Sequence, residues 1–160
     1  MRALFVSVMM LVAVSVQAQT ITSQSFEDQW EKPVELNEQV KWLVITQSKD
    51  AGKMVKETFE ALELADLAQL NMLYIADISG MPGFISKMFA IPKMQDYAFK
   101  IGLIKEEGQL GTLRLTGLDK EAISVISLSN LEIINTQLFK DQAQFKNFLE
   151  TKVISSVSEK

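Results

Sequence analysis

Two short runs of β-branched and aromatic residues, each followed by a helical pattern, constrain this chain most. The first is Val-Lys-Trp-Leu-Val-Ile-Thr at 40–46, and the second is Asn-Met-Leu-Tyr-Ile-Ala at 71–76. Near-continuous apolar runs of this length suit strands covered on both faces. A helix between them makes the strands parallel, because a parallel pair needs a crossover. Asp50 is the expected N-cap of that helix, which the periodicity extends over 51–69. Val55, Phe59, Leu62 and Ala65 recur on the face turned to the sheet. Lys53, Lys56, Glu57, Glu60 and Glu63 form the solvated side, with Lys56 and Glu60 able to pair one turn apart.

The remaining elements follow from punctuation. Residues 26–36 read as a turn with short extended flanks, and Pro33 belongs at a sheet edge because it cannot donate to a ladder. The glycines and proline of 77–83 mark a turn. A short helix over 84–90 should stop before Pro92. A third strand is expected over 97–104, an exit turn at 105–108, and a brief extended stretch near 112–115. Residues 123–128 and 131–138 form a hairpin around Ser129 and Asn130. Asp141 caps a last helix reaching about Val153, with Phe145, Phe148, Leu149 and Val153 on one face. Residues 19–25 read as a polar lead-in and 154–160 as a fraying tail, leaving one domain over 26–153.

The first 18 residues have the make-up of an export signal. Arg2 precedes an apolar run over 3–16, and Val16-Gln17-Ala18 suits a cut after Ala18. The run is shorter than the roughly 20 residues of a membrane-spanning helix. A periplasmic or secreted domain without a stable span is therefore expected. The chain has 16 basic and 20 acidic residues, and an acidic domain lacking a basic run is a poor candidate for nucleic acid or anionic lipid. Among its 160 residues there is no cysteine and no histidine. That removes thiolate nucleophiles, disulfides, imidazole bases and most transition-metal ligand sets.

The element order resembles the thioredoxin-like superfamily, in particular its peroxiredoxin and thiol-antioxidant branch. Residues 26–36 are similar to that branch's opening hairpin, with Glu31 standing where a glycine is usual. The resemblance implies an α/β three-layer sandwich, a central mixed sheet with helices on both faces. It places the thiol site at Ser48-Lys49-Asp50-Ala51-Gly52. If Lys53-Met54 aligns with the Lys-Met that follows a Cys-x-x-Cys pair, the cysteines fall on Lys49 and Gly52. The companion cis-proline position, near Glu121-Ala122, has no proline, and a trans bond is expected there. The segments 76–82 and 88–92 also resemble short secreted proteobacterial proteins, some labelled flavin dehydrogenases. No Gly-x-Gly-x-x-Gly turn accompanies that label.

No catalytic residue, metal site or cofactor is expected. Ser48 has no histidine to activate it, and Glu106-Glu107 need not converge. The expected binding residues are Lys49, Asp50, Asp77, Ser79, Met81 and Pro82. Asp77 ends a parallel strand, where α/β folds place ligands, though Asp and Ser also serve turns by bonding their own backbone. Lys49 either meets an anion at the helix N-terminus or is simply solvated. The Met and Phe residues of 81–94 read first as core, and alternatively as an adaptable surface for a peptide, lipid or partner protein. The function expected is a redox-inactive binding or scaffold module with an envelope protein or peptide partner. A flavin-dependent oxidoreductase is the alternative.

Overall fold

A computed structural model describes residues 19–158; the export-signal reading of residues 1–18 lies outside them. Seven strands form one mixed sheet, ordered β2-β1-β5-β4-β3-β6-β7. They are β1 (Gln24–Glu27), β2 (Pro33–Leu36), β3 (Trp42–Thr46), β4 (Met72–Asp77), β5 (Gly102–Ile104), β6 (Ile123–Ser129) and β7 (Glu132–Phe139). The middle strands β5, β4 and β3 are parallel, as the two apolar runs require. Pro33 lies in edge strand β2.

The sheet divides the core in two. On one face Val44, Tyr74, Ile101 and Val125 pack with Val55 and Phe59 of α1 (Lys49–Ala61). Phe145 and Phe148 of α4 (Gln142–Phe148) complete that layer. On the other face Leu43, Ile45, Leu73, Ile75 and Ile126 meet Leu113 and Ile21. Among the described residues helical cover is unequal, since this second layer carries only a 3-10 turn, Leu110–Leu113, where an extended stretch near 112–115 was expected. Ile21 is buried and its N–H donates to Leu131 O at 2.8 Å, so the lead-in is tied to the β6–β7 turn.

Local chemistry moves several boundaries. Ser48, not Asp50, caps α1: its Oγ accepts from Ala51 N at 3.2 Å, while Asp50 is exposed in the first turn. Helix α1 ends at Ala61 because Glu63 turns to φ 53°, and Leu64 N donates to Phe59 O. Ala65 is consequently exposed. The third strand shortens to 102–104, with Tyr97, Ala98 and Phe99 in bends. Asp141 caps α4 by accepting from Gln144 N, as expected. The helix runs on through a π-helical stretch, Leu149–Ile154, into α5 (Ser155–Ser158), so the segment read as a tail is helical as far as Ser158.

The helix after β4 does not stop at Pro92. α2 (Gly83–Ile85), a π-helical stretch (Ser86–Ala90) and α3 (Ile91–Met94) run on without a break. Proline inside a helix removes a donor and crowds the carbonyl four residues earlier, and a wider π turn relieves both problems.

The β1–β2 turn is built on Asp28, whose Oδ1 accepts from Trp30 N at 2.8 Å and Lys32 N at 2.9 Å. Glu31, in the usual glycine position, is left-handed at φ 60°. That conformation costs a side-chain-bearing residue roughly 1–2 kcal/mol, partly offset by glycine's larger entropy loss on folding. We predict that Glu31→Gly leaves stability unchanged or raises it by up to about 1 kcal/mol. A lowered urea midpoint would contradict this account of the turn.

Candidate functional site

A groove of about 580 Å³ opens at the carboxyl ends of β3 and β4. Its floor is Thr46, Tyr74, Ala76 and Ile101. The first turns of α1 make one wall, with Lys49, Gly52, Lys53 and Lys56. The opposite wall is Met81, Ile85, Phe89, Lys93 and Met94. This position follows from chain direction, since parallel strands leave their loops together at one end.

Three of the expected binding residues meet in the groove: Lys49, Asp77 and Met81. Asp50, Ser79 and Pro82 do not line it. Asp77 is engaged locally, its Oδ1 accepting from Ser79 N at 3.0 Å and Ser79 Oγ at 2.6 Å. That is the turn chemistry open to an Asp two residues before a Ser. Pro82 O accepts from Ile85 N and Ser86 N, which starts the helical segment.

Gly52 lies against the floor. A Cβ built there would be 3.6 Å from Tyr74 Oη and 3.8 Å from Thr46 Oγ1, ordinary contact distances. The two hydroxyls bond each other at 2.9 Å. Burial pushes the Tyr74 phenol up, and the Thr46 hydrogen bond opposes this more weakly, so the floor stays neutral. At the rim, Glu60 bonds Lys56 at 2.7 Å and raises its pKa, while Lys56 Nζ sits 5.4 Å from the centre of the Tyr97 ring. Burial likewise raises the Tyr97 phenol. The chain supplies no thiol and no imidazole to the groove, and its floor presents the hydrogen-bonded Thr46–Tyr74 hydroxyl pair.

Sequence reasoning missed most of the wall, namely Ile85, Phe89, Lys93 and Met94, and the exposed side chains beside it. Phe84, Met88 and Phe89, read first as core, are each 65% exposed. Apolar residues lie on most sides of the segment and its polar residues, Ser86, Lys87 and Lys93, are scattered, so no single polar face tells which side should be buried. Only Met81, Ile91, Met94 and Tyr97 from this region pack against the core. Tyr74 and Thr46 gave no signal beyond their place in buried strands. All described peptide bonds are trans, including those at Glu121 and Ala122.

No protein-family model matches the sequence, and no curated protein does. Solved structures do match its backbone. A protein assigned as the thiol:disulfide interchange protein DsbE of Chlorobium tepidum superposes with TM-score 0.58 at 10% identity, over 88% of this chain and 96% of that one. Peroxidoxin BcpB of Mycobacterium tuberculosis gives 0.53 at 10% identity, over 89% and 96%. The thioredoxin domain of a thiol-disulfide oxidoreductase from Bacteroides vulgatus gives 0.51 at 15% identity, over 87% and 99%. At such identities the likeness establishes the fold alone. The chain is an α/β protein of thioredoxin-like fold, and it contains no cysteine.

Proposed function

We propose that this chain is an exported, redox-inactive binding module of the cell envelope, whose groove holds an apolar stretch of an envelope protein or peptide. The observation that carries the reading is the groove itself. It lies where the superfamily resemblance places thiol chemistry, with Lys49 and Gly52 at the positions that the Lys53-Met54 alignment would give the two thiols, and its floor and the wall opposite α1 are mostly apolar. Such a pocket, with a few polar groups at its rim, is the usual form of a binding site. Export rests on the make-up of residues 1–18. The flavin alternative has no glycine-rich phosphate turn behind it and is not carried further.

The test is site-specific photo-cross-linking of the full chain in its own cells. A photoreactive residue at Ile85, in the groove wall, should capture a discrete envelope protein or peptide. The same residue at Ile134, exposed on β7, should not. Gly52→Phe fills the floor and should reduce capture at least tenfold, whereas Gly52→Ala should leave it intact. Equal capture from both positions, or capture indifferent to Gly52→Phe, sinks the proposal. N-terminal sequencing of the exported protein should begin at Gln19; retention of residues 1–18 would overturn the cleavage.

A further inference from the structure

Beside the groove is a feature that a peptide in the groove does not explain. Phe84 and Met88 do not line it, yet with Phe89 they are the most exposed large apolar side chains among the described residues. Phe84 and Met88 are one turn apart and so project together. Large exposed apolar side chains grouped in this way mark a contact surface.

The charge around them is segregated. From Gly80 to Gln95 there is no acidic residue, and the two charges are Lys87 and Lys93, in a chain whose formal net charge is −4. Neither lysine makes an ion pair among the described residues. Lys49 adds positive charge across the groove, whereas Lys53 and Lys56 there are paired with Glu57 and Glu60. Asp77 and Asp96 flank the segment, and Glu57 is held by Lys53 at 3.7 Å. The acidic whole thus hides a local patch of the opposite sign.

We propose that the helical segment 83–94 is the face by which this protein rests on an anionic lipid bilayer. Phe84, Met88 and Phe89 enter the boundary between headgroups and acyl chains, while Lys87 and Lys93 reach lipid phosphates along their flexible stems. Attachment is peripheral, since no helix among the described residues is long and apolar enough to cross a membrane. A bilayer suits this surface because the apolar side chains stand out from it and the cations beside them complement acidic headgroups. The placement does not need the groove to be filled, and it would hold the groove's mouth at the membrane surface.

The experiment uses the chain from Gln19, whose residues supply both halves of the core. It is sedimented with vesicles of phosphatidylcholine alone or with phosphatidylglycerol added. Binding should need phosphatidylglycerol and fall steeply as salt rises. Phe84→Ser with Met88→Ser should weaken it at least about tenfold, from the apolar area withheld from lipid. Lys87→Glu, which lies outside the groove lining, should cost about fivefold or more. Because the chain has no native cysteine, Phe84→Cys and Ile134→Cys each give one labelling site. An environment-sensitive dye should report an apolar setting at the first position on vesicles and water at the second. No binding to phosphatidylglycerol vesicles overturns the proposal, as does a dye at Phe84→Cys that stays in water. Cross-linking of a protein from position 84 without vesicle binding also overturns it. None of these results bears on capture from Ile85, so this proposal and the groove's ligand can fail separately.

Discussion

Replacing Phe59 by alanine is expected to lower stability by about 3–5 kcal/mol, the range for truncating a large aromatic side chain in a core. Phe59 is fully buried where α1 crosses the sheet. Its ring lies 5.8 Å from Tyr74, 5.0 Å from Phe99 and 6.2 Å from Phe145, measured between centroids. The first two contacts are edge-on, the arrangement that aromatic quadrupoles favour. These partners come from β4, the bend before β5 and α4, so none can close the cavity without disturbing another element. For a domain of this size the loss lowers the melting temperature by roughly 10–20 °C. A loss below about 1 kcal/mol would mean that this aromatic cluster does not hold the layer together.

Gln29→Ala is the second large effect, expected at about 2–4 kcal/mol from the polar groups left without partners and the volume lost. Gln29 is buried under the β1–β2 turn. Its Nε2 donates to Phe99 O at 2.8 Å and Met94 O at 3.2 Å, and its Oε1 accepts from Ile101 N at 2.9 Å. Gln95 Nε2 donates back to Gln29 O at 2.8 Å. One side chain therefore satisfies three backbone groups in a stretch with no ladder of its own. Met94 and Ile101 line the groove, so the same bonds set the spacing of wall and floor. Hydrogen exchange at the Ile101 amide should accelerate in Gln29→Ala well beyond the global change in stability. Gln29→Glu should be at least as damaging, because a carboxylate cannot donate to the two carbonyls and is costly to bury. Unchanged exchange at Ile101 would show that the contact does not brace the wall.

Gln29 also shows why part of the site could not be read from the sequence. A glutamine in a polar turn carries no local mark of burial; its partners lie 65 to 72 residues away. The end of α1 was hidden for a related reason. A left-handed residue after a helix is usually glycine, and here Glu63 takes that role, so nothing announced the stop. Where the signal was local, it was legible. Asp141 caps α4, Pro33 sits at the edge, and the runs at 40–46 and 71–76 are adjacent parallel strands.

The sequence alone therefore determined the order of the strands and longer helices, though not the 3-10 turn at 110–113, and the absence of thiol and imidazole chemistry. Both are properties of neighbouring residues or of composition, and need no knowledge of what packs where. Only the tertiary structure decided that Lys49, Asp77 and Met81 share one groove while Asp50, Ser79 and Pro82 do not line it. It also decided that Phe84, Met88 and Phe89 face outward. A segment with apolar residues on most of its sides can be buried by any of several faces or by none. The region meets the core through Met81, Ile91, Met94 and Tyr97, and these three side chains are left outside.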